Sequence, residues 1–397
     1  MAYAFGASSE SIIHELVFSS STSWVPPYSC RAYVTVIGPG GSGGSCVEGG
    51  DHEAYVASGG GAGGCAKSLL RLDSSVTYTI NIGAGGASVN NAAGNAGGAN
   101  SEFQGSDIDN MAGNLGSGGL KEGNAGTISL KAGGAGGTAT GGTIFNCTGG
   151  AGGSGEVVTY SNAGIHIASG GGGAAGIFGK SYRGGNAICN TGGADKVAIG
   201  GGAGVGGNGG DVTSTGSYGL GGGGGGNAFG DGISHTTVYP NQGNMFDTSS
   251  LIRSISCNDW DEAGFSAYEQ TSVSGAYNAH HYQRGSPASI FHGLVGAPAG
   301  KVAGGNNSAA GPGAGGSGYY YAIDDGYFWG SPGLFGGGAG TTKNYHNSSY
   351  AQYNSYGYKG SYGAGGGANA AYQTGSTTSW SGGGGGGLVV ITVVEIL

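Results

Sequence analysis

Charge is scarce in this chain. Only 9 % of its 397 residues are Asp, Glu, Lys or Arg, and 13 basic against 22 acidic side chains leave a formal net charge of −9. No basic run occurs. Nucleic acid and anionic membrane surfaces, both held through clustered Lys and Arg, are therefore not expected partners. Long hydrophobic runs are also missing: nothing approaches the roughly 18 apolar residues of a spanning helix, so no membrane insertion is expected. The N-terminal stretch MAYAFGASSESIIHELVF has no positive n-region, no long apolar h-region and no cleavage site of the usual type. No signal peptide is expected, and synthesis in a cytosol is. Proline is rare at 8 residues and no Gly-X-Y period runs through the chain, which excludes collagen. The six cysteines, Cys30, Cys46, Cys65, Cys147, Cys189 and Cys257, never form a CxxC pair. That spacing excludes zinc and thioredoxin-like sites and suits small buried hydrophobes.

What fills the chain instead is glycine, 100 of 397 residues. The longest runs are 221–226 and 382–387, and shorter ones recur at 59–64, 170–173, 200–202 and 336–338. Such a composition usually means disorder. Here, however, aromatics reach 10 % with Tyr 23, Phe 11 and Trp 4, whereas disordered chains are charge-rich and aromatic-poor. Glycine can build a fold as polyproline-II-type helices, with about three residues per turn and a rise of about 3.1 Å per residue. Their amides and carbonyls point sideways. Without Cβ atoms, neighbouring helices approach closely enough to pair these groups.

Strand signals cluster near the two ends. Ile13–Phe18 reads as a strand, Trp24-Val25-Pro26-Pro27 as a turn or edge, and Ala32–Ile37 as a strand stopping at Gly38-Pro39-Gly40-Gly41. In 76–82, Val76, Tyr78, Ile80 and Ile82 share one face and Thr77, Thr79 and Asn81 the other. Leu388–Leu397 is apolar on both faces and reads as a buried strand. Between about 83 and 230 no helical periodicity occurs. The expected fold is all-β or irregular. A small β-sandwich base is formed by 13–37, 76–82 and 388–397, packed polyglycine-II helices lie between, and long apical loops occupy 233–299, 319–332 and 343–362. Residues 1–12 are expected to be a flexible or docking segment.

Few motifs suggest catalysis. Ala174–Ser181 fits a relaxed P-loop spelling, but neither a leading strand nor a following helix is expected. Gly40-Gly41-Ser42-Gly43-Gly44 fits a nucleophile-elbow spelling that glycine richness produces by chance. Asp259, Asp261 and Glu262 flank Trp260, and Asp324 adjoins Asp325; in polar insertions such carboxylates usually form a solvated face. His280 and His281 would point to opposite sides of an extended segment. No catalytic residue, metal site or cofactor is assigned. The strongest functional signal is aromatic: Trp260, then Tyr319, Tyr320 and Tyr321, Tyr327, Phe328 and Trp329, and Tyr345, Tyr350, Tyr353, Tyr356 and Tyr358, interleaved with Asn, Ser and Gly. Binding loops favour this mixture, because Tyr gives amphipathic contact area at low entropy cost while Ser, Gly and Asn adapt. The competing role for these rings is to pad a lattice poor in side chains.

Trp24-Val25-Pro26-Pro27 with Tyr33–Gly41 resembles the opening of the glycine-rich domains of bacteriophage tail fibres. Tyr78–Gly86 is similar to that pattern's next strand-and-glycine element, and Gly382–Ile391 to its closing element. The likeness extends to the distal adhesins of T-even-like long tail fibres, although no separate N-terminal attachment domain stands out here. What the resemblance implies is a virion tail protein that binds a bacterial surface receptor, an outer-membrane protein or polysaccharide, through loops on a polyglycine-II sandwich. Its other partners would be tail-fibre or virion proteins, and it would act as a monomer or homotrimer without a cofactor. The alternative is a structural subunit of a self-assembling extracellular fibre or a virion decoration protein, with 388–397 donated to a neighbour. An ice-binding protein would need flat, repeat-spaced faces of small residues without long aromatic insertions.

Overall fold

The computed structural model describes residues 14–48, 53–124, 126–160, 164–174, 181–190, 196–204, 207–214, 219–221, 268–272, 279–283, 308–309, 315–316, 319–321, 330–331, 336–343, 355–372 and 379–397. Among these the structure is all-β. The chain shuttles between two β-rich ends through extended glycine runs. It starts in a base with β1 (His14–Phe18), β2 (Thr22–Trp24) and β3 (Cys30–Ile37). Run 38–44 carries it to the distal end, where β4 (Ser45–Glu48) leads out and β5 (Ala54–Ala57) leads back. Run 58–64 returns it to the base as β6 (Cys65–Leu72). From β7 (Tyr78–Asn81) an excursion comes back as β8 (Ser101–Gln104). From β9 (Met111–Gly113), run 114–120 reaches β10 (Lys121–Asn124) and β11 (Ile128–Lys131) at the distal end. Run 132–138 descends to β12 (Ala139–Thr140); β13 (Phe145–Cys147) turns into run 148–154 and β14 (Gly155–Val157).

Further distal strands are β15 (Ile165–Ala168), β16 (Ala187–Cys189), β17 (Lys196–Ile199), β18 (Val212–Ser214) and β19 (Gly219–Gly221). The antiparallel pair β20 (Tyr268–Ser272) and β21 (Ala279–Gln283) follows. Then come β22 (Ser308–Ala309), β23 (Tyr319–Tyr321), β24 (Gly330–Ser331), β25 (Thr341–Lys343), β26 (Ser355–Tyr356), β27 (Asn369–Tyr372) and β28 (Ser379–Trp380). Finally β29 (Leu388–Ile396) re-enters the base.

The base is a sandwich of two sheets, ordered β1-β29-β3-β6-β13 and β12-β9-β8-β7-β2. Alternation sends Ala32, Val34 and Val36 of β3 inward and Arg31 and Tyr33 outward. The inward residues meet Leu72, Val389 and Ile391 of their own sheet and Tyr78, Ile80, Phe103 and Met111 of the other. Tyr78 and Phe103 stack with centroids 5.2 Å apart, and Trp24 leans on Tyr78 at 6.0 Å. This is the expected base, enlarged by β6, β8, β9, β12 and β13. The expectation for 388–397 needs correcting. Val389, Ile391 and Val393 are buried, but Val394, Ile396 and Leu397 are exposed at 41, 50 and 51 %; they follow Val393, where the register against β3 shifts and the inward alternation is broken. Both edges of β29 are paired, to β1 and to β3, within its own chain.

Between base and distal sheets lies a lattice of three-residue-per-turn helices. In run 38–44, Gly38, Gly41 and Gly44 donate to Gly64, Gly61 and Ser58; Gly40 and Gly43 donate to Gly385 and Gly382; Ser42 donates to Asn95. Every third amide addresses the same neighbour, as threefold geometry requires. Three further runs approach its carbonyls: Gly116 and Gly119 donate to Pro39 and Ser42, Gly86 to Gly40, and Gly366 and Asn369 to Gly41 and Gly44. Runs 58–64, 169–174 and 363–368 are surrounded in the same way. The packing is hexagonal, and backbone groups of neighbouring runs satisfy one another directly. At about 3.1 Å per residue, run 38–44 spans about 19 Å. Close approach demands glycine. A Cβ at Gly385 would run into the Ser361 carbonyl, whereas at the neighbouring Gly386 the nearest atom is Gly83 O at 3.7 Å.

Candidate functional site

The distal end is where the chain's insertions open. In the parallel sheet β23-β25-β27-β4, Tyr321 pairs with Lys343, Lys343 with Ala371, and Tyr372 with Glu48. All four strands run outward from the lattice, so the chain leaves this one edge at 322, 344, 373 and 49. It comes back through other strands. In β26 and β28, Ser355 pairs with Ser379 and Tyr356 with Trp380, both leading inward. The parallel set β5, β15, β17 and β19 also leads inward, and β14, β16 and β18 lead outward. Parallel pairing between segments distant in sequence follows from the lattice. Runs in register bring their continuing strands into register.

Side chains brace this end. Ser45 Oγ donates to Ser379 O at 3.0 Å, and Asn369 Nδ2 donates to Trp380 O at 3.1 Å. Asn91, with φ of 44°, uses its Oδ1 to accept from Val47 N at 3.1 Å and Lys121 Nζ at 2.7 Å; Asn tolerates this left-handed conformation better than most residues. Arg183 grips Asp211 with both guanidinium arms, at 2.7 and 2.6 Å, while Asn186 N donates to the same carboxylate at 2.7 Å. Such fork-to-carboxylate pairing fixes geometry as well as charge. His166 is buried with its ring 5.2 Å from that of Tyr55. Among the described residues no group of three or more His, Cys, Asp or Glu side chains is arranged to hold a metal.

The aromatic candidates divide into groups. The backbone of Tyr319, Tyr320 and Tyr321 forms β23, and that of Tyr356 lies in β26. Trp260, Tyr327, Phe328, Trp329, Tyr345, Tyr350 and Tyr353 lie outside the described residues, as do Asp259, Asp261, Glu262, Asp324, Asp325 and the core of the P-loop-like spelling. Tyr358 is corrected: it is only 5 % exposed. It stands inside a lattice run, its amide donating to Ala339 O and its carbonyl accepting from Gly367 N, so its side chain is padding. The signal for this is legible in retrospect, since Gly357, Gly360 and Gly363 recur every third residue. The insertion expected at 343–362 therefore ends before 355. Ser42 of the elbow-like spelling is fully buried in the lattice, and its Oγ accepts from Asn95 N at 2.8 Å.

Strands inside the glycine-rich middle escaped sequence reading, because β5, β14–β16 and their neighbours are only three or four residues long. A regular small-residue face also emerges. Ala132, Ala135 and Thr138 are exposed beside Thr148 and Ala151 of the adjacent run, while Gly134, Gly137, Gly149, Gly150, Gly152 and Gly153 are buried. The spacing along each run is three residues, or about 9 Å.

In the base, Tyr78 Oη donates to Asp107 Oδ2 at 2.8 Å and accepts from Asp73 N at 2.9 Å. Burial, followed by the neighbouring Asp107, pushes this phenol well above its ordinary range. The Cys65 thiol is pushed up to about 12, mainly by burial.

No curated protein matched this sequence. A family model described as a glycine-rich domain matches residues 17–244, over half of the chain. That match runs from the end of β1 through β19 and takes in most of the base and the first half of the lattice. The chain belongs to this glycine-rich domain family.

Proposed function

We propose that the chain is a receptor-binding adhesin of a bacteriophage tail fibre or tail tip. In this reading the lattice is a rigid spacer, the base is the attachment side, and the distal segments recognise a bacterial outer-membrane protein or surface polysaccharide. The observation that carries it is the common edge of β23, β25, β27 and β4. The aromatic segments 322–329 and 344–354 both start there, on neighbouring strands, and β29 and β1 lie in the sandwich at the other end of the lattice. Scaffolds that hold variable loops at one end are a common solution for binding, since loops tolerate change while the framework persists. Tyr, Trp, Asn and Ser in those segments supply contact area and adaptable hydrogen bonds. The proposed chemistry is binding without catalysis and without a cofactor.

The test is adsorption competition. Purified chain should block adsorption of the cognate phage to its host. Replacing Tyr320, Tyr327 and Trp329 with Ala should raise the concentration needed at least tenfold, with an unchanged thermal transition. Undiminished blocking by the triple variant would remove these segments from the site.

A further inference from the structure

Cys65 and Cys147 stand directly opposite each other on the antiparallel strands β6 and β13. Directly opposed residues place their side chains on the same face, with Cβ atoms about 4.5–5.5 Å apart. A disulfide asks for about 3.5–4.5 Å, so a small adjustment at the edge strand β13 brings the two sulfurs within bonding range. Both thiols are free and buried, and they share one apolar cluster with Ile37 and Leu388. The cluster sits where the base meets the lattice. Cys65 follows the last residue of run 58–64, which is enclosed by other runs, and Cys147 precedes run 148–154 on the outside. Cys147 Sγ already lies in a partly polar setting, 3.4 Å from the carbonyl of Thr148. Cys30, Cys46 and Cys189 lie on other strands and in other clusters, and none is opposed to a cysteine across a ladder.

We infer that Cys65 and Cys147 form a redox-dependent staple, two thiols in a reducing cytosol and one disulfide under oxidising conditions, that ties the inner lattice to the edge of the base. With glutathione disulfide as oxidant the step balances. The Cys147 thiolate attacks one glutathione sulfur, the S–S bond breaks, and one glutathione thiol leaves with a proton. The Cys65 thiolate then attacks Cys147 Sγ, releasing the second glutathione thiol. Two protein S–H bonds are lost and one S–S bond is formed. Burial makes both attacks slow in the folded protein, and raising the pH speeds them by increasing the thiolate fraction. The linkage closes a long loop, which restricts the unfolded chain.

The experiment compares the whole chain in excess reduced glutathione with the chain equilibrated in glutathione disulfide at pH 8.5. Free thiols are alkylated and the chain is digested without reduction. The expected result is one linked peptide pair, Cys65 with Cys147, and a melting temperature higher by about 5 °C that falls back on reduction. Cys147→Ser should show neither the linked peptide nor the redox-dependent shift. The inference is overturned if both cysteines stay alkylatable, if either links to another cysteine, or if the linked protein melts where the reduced one does.

Discussion

At the residue scale the lattice makes a sharp distinction between chemically identical neighbours. Gly385 and Gly386 adjoin in one run, yet a methyl at Gly385 would overlap the Ser361 carbonyl, and one at Gly386 finds Gly83 O at 3.7 Å, an ordinary contact. Gly385→Ala should therefore cost about 3–5 kcal/mol, because the obstacle is backbone that cannot swing away. Gly386→Ala should be neutral or slightly stabilising, because it restricts only the unfolded chain. Chemical denaturation of both variants checks the contrast; equal effects would mean that glycine is needed here for composition alone. Tyr78 gives a second residue-scale expectation. Its hydroxyl bridges Asp73 N and Asp107, so Tyr78→Phe should lose about 1–2 kcal/mol. The folded phenol titrates above its ordinary value of 10.0. Its contribution is thus fully present below about pH 10 and declines as pH rises from there through the elevated folded value. Wild type and Tyr78→Phe should converge in stability across that window. Which glycines are indispensable was not legible in the sequence, since every run reads alike until its neighbours are known. The alternation of Tyr78 and Ile80 against Thr77 and Thr79 was legible, because a two-residue period needs no knowledge of partners.

At the scale of elements, the base strands announced themselves through length and β-branched residues, as in β3 and β29. The distal strands did not. β14, β16 and β18 hold three residues each, too few for a period, and they exist because lattice runs deliver them side by side. The run 357–363 was concealed by its tyrosines, which drew the eye from glycine at every third position. β29 is the keystone of the base. It pairs with β1 on one edge and β3 on the other, and buries Val389, Ile391 and Val393 in the core shared with Tyr78 and Phe103. A chain ending at Gly387 should lose its cooperative thermal transition and become protease-sensitive, because β1 is left without a partner and the core is opened to water. A truncated chain that melts like the full one would show that the lattice holds the base together unaided.

For the whole molecule, the lattice converts a sequence of low complexity into a packed body with two unlike ends. The base is a conventional hydrophobic sandwich; the distal end is a set of short, mostly parallel strands, and the aromatic segments follow two of them, β23 and β25. The order in which runs pack was beyond sequence reading, because a glycine run carries no side chain to specify its neighbour; connectivity and the flanking strands decide it. So the candidate residues were visible as a composition, while the common edge from which 322–329 and 344–354 start was not. The central claim is that this edge faces the receptor. Hydroxyl-radical footprinting of the chain bound to host cells tests it most directly, by comparing oxidation of each aromatic residue in the bound and free protein. The account predicts protection of Tyr327, Trp329, Tyr345 and Tyr350 with Tyr28 and Tyr33 of the base unchanged; protection of the base with the distal segments still oxidised would contradict it.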